Sequence, residues 1–171
     1  MATAEETLQS LREGNLRFVA GVRTASAAAL RYRSPRLVFE HSPKAIVVSC
    51  SDARVPAEVL FDQGFGDLFV VRVAGNVAAP SQIGSVEFAV ETFGVDLVVV
   101  LGHSFCGAVG ATLKALRKPD PGISVNLHAI VDRIRPALEP LVQAAGDLSD
   151  DQLLEQAVRA NVRASAAQLQ H

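Results

Sequence analysis

Three short runs of β-branched and other apolar residues constrain the fold of this chain more than any other feature. They cover Ala45–Ser49, Leu68–Val73 and Asp96–Leu101, and helix-like segments lie between them. Short apolar runs of this kind are typical of buried strands, and strands that alternate with helices form parallel sheets. We therefore predict an α/β fold, with a parallel β-sheet and flanking helices.

Helix signals fill most of the remaining sequence. Thr3–Glu6 has the pattern of a capping box and predicts a helix that ends near Gly21. Residues 22–42 show no steady period, and we predict a loop there with at most a short helix. The other predicted helices are Ala57–Phe61, Gln82–Phe93 with Ser81 as its cap and Gly94 as its stop, a segment from Cys106 to the residue before Pro119, Ser124–Ala144 and Ser149–Leu169.

Length and composition predict one globular domain over residues 1–171. It would consist of a helical arm (about 3–42), an α/β core (about 43–118) and C-terminal helices (about 124–169). The net charge of −2 gives no reason to expect a nucleic acid or a membrane as partner. The N-terminus lacks the features of a signal peptide, so we predict a cytoplasmic protein whose two cysteines are thiolates rather than a disulfide.

Each of the two cysteines stands in a short polar motif that follows a predicted strand. The motifs are Cys50-Ser51-Asp52-Ala53-Arg54 and His103-Ser104-Phe105-Cys106. In parallel sheets, ligands bind at the carboxyl ends of the strands, where both motifs lie. Two thiolates and an imidazole make three corners of a tetrahedral zinc site and leave one position for water. Taken alone, Cys50 would be read as a small buried apolar residue and His103 as a turn residue.

Asp52 and Arg54 form a second candidate pair beside these ligands. A spacing of two places both side chains on one side of an extended segment. An ordinary ion pair at a strand end is the alternative. Next to a metal-bound water, Arg54 would keep Asp52 ionised, and Asp52 would accept a hydrogen bond from that water. Asp52 would also be able to ligate the metal itself and close the site.

The combined pattern resembles the β-class carbonic anhydrases, whose signature is Cys-x-Asp-x-Arg followed by His-x-x-Cys. The resemblance implies one zinc ion per chain, bound by Cys50, His103 and Cys106. It also implies reversible hydration of carbon dioxide to bicarbonate and a proton, in a homodimer or a higher homo-oligomer. Further stretches that resemble the family are Gly14–Phe18, Phe69–Asn76, Gly84–Val90 and Gly102–Ala108.

Three aromatic residues are candidates for substrate binding because of this resemblance. The family often has glutamine where His41 stands, and its amide reaches substrate oxygen across the dimer interface. Histidine retains one hydrogen-bond donor, although His41 would also suit a surface loop. Phe69 matches a pocket phenylalanine of the family, with a plain core role as the alternative. Phe88 stands where the family often has tyrosine, so it would keep an apolar wall without the hydroxyl.

The end of the sequence departs from the family pattern. Family members have further strands after the last helices, whereas helical sequence here reaches the final residues, so we expect a sheet that is short at the C-terminus.

Two other functions remain open from sequence. A carbonyl sulfide or carbon disulfide hydrolase would use the same ligands, and a non-catalytic binding module should have lost ligands or the Asp–Arg pair.

Overall fold

The central element is a three-stranded parallel sheet, seen in a computed structural model that describes residues 2–22, 41–118, 122 and 124–170. Its strands are β1 (Ala45–Ser49), β2 (Leu68–Arg72) and β3 (Val98–Leu101), arranged in the order β2-β1-β3. The register aligns the last residues of all three strands. The prediction of a parallel α/β sheet is confirmed, and the two strands that precede the polar motifs are neighbours.

Strand boundaries differ from the prediction by one or two residues. We predicted that β2 continues to Val73, but the strand ends at Arg72, although the Val73 N–H still donates to the Ser49 carbonyl at 3.1 Å. We predicted that β3 begins at Asp96, but it begins at Val98. In both cases the central ladder lies where the apolar run is continuous, and only the fraying ends were misplaced.

Helices cover the sheet within the described residues. They are α1 (Ala4–Val19), α2 (Ala57–Leu60), α3 (Pro80–Phe93), α4 (Gly107–Arg117), α5 (Val125–Gln143) and α6 (Asp150–Gln168). Thr3 and Ser149 form the predicted capping boxes at the starts of α1 and α6. None of the described helices is long and apolar enough to cross a membrane. The predicted loop at 22–42 falls mainly on residues 23–40, outside the described residues.

The start of α3 corrects one prediction. Ser81 was expected to cap this helix, but the cap residue is Ala79 and makes no side-chain hydrogen bond. Pro80 occupies the first helical position, where its missing N–H costs nothing and its fixed φ fits the helix. Ser81 therefore lies inside the first turn, and its hydroxyl donates to the side chain of Gln82. Gly94 ends α3, as predicted, and the structure places it in the left-handed conformation.

Both faces of the central strand β1 are covered, which explains why its sequence is apolar throughout. All five of its residues are buried. Alternate side chains point to opposite faces: Ile46 and Val48 pack with residues of α3, while Ala45 and Val47 pack with residues of α1 and α2. The covered strand ends directly before Cys50, so the first polar motif starts from a rigid base.

The Gly-Asn-x-Arg stretch of α1 fastens this helix to α2. A Cβ atom on Gly14 would overlap the carbonyl oxygen of Phe61, so only glycine permits this approach. Asn15 donates to a carbonyl of α2 at 3.0 Å, and Arg17 pairs with the buried Asp62 at 2.6 Å. The stretch that resembles the family is therefore a docking contact for the N-terminal helix.

Helix α6 lies against the turn that follows β3. A Cβ atom on Gly102 would approach the Val162 side chain to 2.5 Å, so α6 packs directly on the backbone at this point. A groove of about 630 Å³ runs beside this contact, lined by residues 102–105 on one side and by residues of α6 on the other. His103 is among its lining residues, and the groove therefore reaches the second polar motif from outside.

Candidate metal centre

Three elements bring the predicted ligands together. Cys50 directly follows β1, and His103 follows β3 after a single glycine. Cys106 is the N-cap residue of α4. Because β1 and β3 are neighbours and parallel, their carboxyl ends meet at one edge of the sheet. The ligand atoms of Cys50, His103 and Cys106 consequently lie within 4.8 Å of one another.

All three ligand residues are almost fully removed from solvent. Cys50 is 5% exposed, His103 9% and Cys106 2%. Tetrahedral zinc with bonds of about 2.0–2.3 Å separates its ligand atoms by less than about 4 Å, so the cluster requires only a small contraction. Neither cysteine forms a disulfide.

The imidazole of His103 is oriented to offer a nitrogen lone pair. Its Nδ1 lies 2.9 Å from the Ser104 carbonyl oxygen, which can only accept a hydrogen bond. The proton of the neutral ring is therefore on Nδ1, and Nε2 carries the lone pair. Nε2 is buried and has no hydrogen-bond partner among the described residues. A buried acceptor of this kind is unfavourable unless it binds something, and a metal ion would satisfy it.

The surroundings of Cys106 oppose ionisation of its thiol. Burial raises the pKa of Cys106, and the nearby Cys50 adds to this rise, while the backbone amides of Val109 and Ala108 oppose it. Those amides belong to the first turn of α4, where the helix dipole favours an anion. A divalent cation would supply the remaining charge. The donor set, the orphaned nitrogen and the buried thiols therefore fit a zinc ion.

Asp52 and Arg54 form the predicted pair, but in a turn rather than in an extended segment. The Val55 N–H donates to the Asp52 carbonyl at 3.2 Å, which closes the turn. The Asp52 carboxylate accepts from the Arg54 Nε at 2.8 Å, from its Nη2 at 2.7 Å and from its backbone N–H at 2.9 Å. The expectation of an extended segment was wrong because the carboxylate bonds the backbone two residues on, as in an Asx turn.

The environment of Asp52 keeps it ionised. Hydrogen bonds from the side chain and backbone of Arg54 hold the pKa of the Asp52 carboxyl well below its usual range. Oδ2 of this carboxylate lies 4.0 Å from Nε2 of His103. The pair therefore places a fixed negative charge, and an oxygen that can only accept hydrogen bonds, next to the ligand cluster.

Arg54 also connects the two polar motifs. Its guanidinium donates to the carbonyls of Ser104 at 3.0 Å and Phe105 at 3.2 Å, within the turn between the second and third ligands. Phe105 has a φ of 55°, in the left-handed region that disfavours side chains with a Cβ atom, and it is 64% exposed. The hydrogen bonds from Arg54 therefore fix a strained turn as well as the Asp52 carboxylate.

Sequence reasoning missed two residues that support the Cys50 motif. Arg72 ends β2 and donates to the carbonyls of Cys50 at 3.0 Å and Asp52 at 2.6 Å. The backbone N–H of Gly75 lies 3.4 Å from Sγ of Cys50 and donates to it. Arg72 could have been singled out from the sequence, because it is a charged residue at the end of an apolar strand. The role of Gly75 depends on a backbone atom, which no residue type reveals.

The three candidate substrate residues lie together, and a fourth aromatic residue joins them. Phe69 contacts His41 and Phe88 at ring-centroid distances of 6.1 and 6.3 Å, and Phe93, which the sequence did not single out, touches all three. Phe69 is in register with Ile46, three residues before the end of β1, which corresponds to about 10 Å along the strand. The aromatic cluster is thus displaced along the sheet from the metal ligands of the same chain.

Comparisons with known proteins find carbonic anhydrases. A family model described as carbonic anhydrase matches residues 45–171. A carbonic anhydrase of Mycolicibacterium smegmatis is 45% identical over 130 residues, which are 76% of this chain and 62% of the relative. The β-carbonic anhydrase CafA of Aspergillus fumigatus superposes with a TM-score of 0.71 at 25% identity, covering 95% of this chain and 74% of that structure.

A third comparison concerns the fold alone. One chain from the crystal structures of two tetrameric β-carbonic anhydrases of Sordaria macrospora matches with a TM-score of 0.73 at 21% identity, covering 96% of this chain and 81% of that chain. The family model and the 45% identical relative show that this chain belongs to the β-class carbonic anhydrase family. The chain spans about 62% of the length of the mycobacterial relative.

Proposed function

We propose that this chain catalyses the reversible hydration of carbon dioxide to bicarbonate and a proton, as a zinc-dependent carbonate dehydratase. The observation that carries the proposal is the convergence of Cys50, His103 and Cys106, with their ligand atoms within 4.8 Å, beside the ionised Asp52. Membership of the carbonic anhydrase family supports the same reaction.

Zinc held by Cys50, His103 and Cys106 would lower the pKa of a bound water from 15.7 to about 7 and so supply the nucleophile at neutral pH. The residues of this chain contribute orientation. Ionised Asp52 can only accept hydrogen bonds, so it would accept one from a water bound at the ligand cluster and orient that water towards the substrate. Arg54 holds the Asp52 carboxylate in place and opposes its movement onto the metal.

We assign substrate contact to His41, Phe69 and Phe88. Their mutual ring contacts support one shared surface, apolar enough for carbon dioxide and carrying one polar ring. For His41, displacement from the ligands of the same chain is what the family resemblance leads us to expect, because the residue at this position in the family reaches substrate across a dimer interface. In this proposal, the aromatic cluster of one subunit completes the metal site of its partner.

A homodimer or a higher homo-oligomer is part of the same proposal. Apolar side chains with large exposed fractions support it: Phe88 is 55% exposed on α3, and Leu16 and Val19 on α1 are 68% and 75% exposed. Contiguous exposed apolar surface marks interaction sites, and a second subunit would cover these side chains. A cytoplasmic location remains a prediction from sequence.

Metal analysis combined with a hydration assay tests the proposal. The purified chain should contain one zinc ion per subunit and accelerate carbon dioxide hydration, and the Cys50→Ser variant should lose most of both. A parent protein without bound zinc, or a Cys50→Ser variant with its full zinc content, would contradict the assignment of the ligands.

The same preparation separates the alternative functions. A protein that binds zinc, leaves carbon dioxide unchanged and hydrolyses carbonyl sulfide or carbon disulfide would be a hydrolase of the same family. A protein that binds zinc and acts on none of these substrates would be a binding module. Retention of Cys50, Asp52, Arg54, His103 and Cys106 argues against a binding module.

A further inference from the structure

Two hydrogen bonds connect Cys50 to a residue near the C-terminal end of the chain. We propose that Asn161 is a positioning residue for Cys50. In this inference the Asn161 amide holds the Gly75 carbonyl, so that the N–H of Gly75 donates to Cys50 Sγ. The inference rests on the metal site proposed above and concerns how the chain adjusts one of its ligands.

Two hydrogen bonds carry this connection. Nδ2 of Asn161 donates to the carbonyl oxygen of Gly75 at 2.7 Å. The N–H of Gly75 donates to Sγ of Cys50 at 3.4 Å. Gly75 is therefore hydrogen-bonded on both sides: its carbonyl accepts from Asn161 of α6, and its N–H donates to the sulfur of Cys50. Asn161 is 2% exposed, so water does not compete for this bond.

The backbone around Gly75 needs such support because it is strained. Gly75 has a φ of 71° and Asn76 a φ of 45°, so two successive residues adopt the left-handed conformation. Asn76 carries a Cβ atom and is 1% exposed, and its own Oδ1 lies 3.5 Å from Nδ2 of Asn161. The surrounding structure must hold such residues in place. Without the Asn161 amide, the Gly75 carbonyl would be buried without a donor and the turn would relax.

Relaxation of this turn would change the thiolate. A hydrogen bond to sulfur withdraws electron density and fixes the direction in which the sulfur points. Partners behind the metal ligands orient those ligands and adjust the metal, and losing one typically reduces metal affinity or activity about 10- to 100-fold. Asn161 therefore acts on the metal site only through Gly75 and Cys50, without touching metal or substrate.

The test replaces zinc with cobalt(II), which makes the thiolate bonds visible as a charge-transfer absorption. In Asn161→Ala, cobalt should bind about tenfold more weakly in competition with a chelator. The charge-transfer band should shift to lower energy, because a sulfur without its hydrogen bond is a better electron donor. Ser165→Ala is the matched control, since Ser165 is 3% exposed and lies one turn further along the same face of α6. It should shift neither quantity.

The outcomes separate a positioning role from a merely structural one. If Asn161→Ala melts earlier but keeps the cobalt affinity and the band of the parent, the inference is overturned while the metal site stands. If the parent itself binds no cobalt, both the metal site and this inference are overturned.

A measurement on the unmodified sequence covers the case in which Asn161→Ala fails to fold. With ¹¹³Cd in the site, the amide proton of Gly75 should show a scalar coupling to cadmium through Sγ of Cys50. Detection of this coupling supports the N–H···S bond on which the inference depends. Its absence in a protein that binds cadmium refutes the inference.

Discussion

Replacing Gly75 by alanine should destabilise the protein, because the added methyl group has no room and the backbone is left-handed at this position. A Cβ atom there would lie 2.7 Å from Cδ1 of Ile134 and 3.0 Å from Cβ of Ala108, and Ile134 is fully buried. The left-handed φ costs alanine about 1–2 kcal/mol. Forcing a methyl group into a packed core costs about 1–3 kcal/mol more. The lower entropy of the unfolded alanine chain offsets about 0.4–1 kcal/mol.

The net loss is about 3 kcal/mol, which for a chain of this size lowers the melting temperature by about 6–12 °C. Calorimetry or circular dichroism with and without a chelator measures it. Gly84→Ala is the control, because a Cβ atom at Gly84 meets nothing within 4 Å and alanine suits the interior of α3 better than glycine by up to about 1 kcal/mol. If Gly75→Ala melts within 2 °C of the parent, roughly one-third of the smallest expected shift, the packing argument is refuted.

Three further predictions concern the chemistry of the site. Arg54→Ala should lower hydration without removing zinc, since Asp52 is freed to reach the metal, whereas Arg117→Ala should change neither; both arginines pair with an aspartate and have similar side-chain exposures of 50% and 46%. Normal activity of Arg54→Ala across pH 7–9 would contradict this role. The pKa of Asp52 in the folded protein lies below its ordinary value. Its contribution to stability is therefore present above about pH 4 and is lost as the pH falls further. The difference in urea stability between the metal-free parent and Asp52→Asn should shrink below that pH. His41→Ala should reduce hydration about fivefold, as expected for one lost hydrogen bond of about 1 kcal/mol, while His41→Gln should leave it mostly intact; equal rates for the parent and His41→Ala would leave His41 as a loop residue.

The ligand cluster was predictable because its geometry follows from local rules. Apolar runs place Cys50 and His103 at the ends of strands, and parallel strands end at the same edge of a sheet. The pairing of β1 with β3, rather than with β2 alone, was the one long-range fact required, and the shared chemistry of the two motifs implied it. The pairing of Asp52 with Arg54 was predicted correctly, but from the wrong geometry. The two side chains meet because the Asp52 carboxylate accepts from the backbone N–H of Arg54 in a turn, and not because the segment is extended.

Two other features were missed, one because it depends on a contact distant in sequence and one because two local rules competed. Asn161 reads as an ordinary polar residue in a helix, and only the packing of α6 on Gly102 brings it to Gly75. The start of α3 was misplaced because the cap rule favoured Ser81, whereas Pro80 at the first helical position decided the boundary. The contact of Asn161 is therefore long-range, whereas the start of α3 was decided between two local rules, of which the proline rule prevailed.

The two polar motifs depend on each other more closely than their separation in the sequence suggests. Arg54 from the first motif fixes the carbonyls of Ser104 and Phe105 in the second, and the same guanidinium holds Asp52. A change that displaces the second turn therefore also alters the position of the carboxylate beside the metal. Because Gly75 bonds the Cys50 sulfur and Arg72 holds the backbone carbonyls of Cys50 and Asp52, the thiolate can remain in place while the Asp52 carboxylate moves. This division explains why Arg54→Ala should affect catalysis before metal binding, and why Gly75→Ala should affect stability and metal binding together.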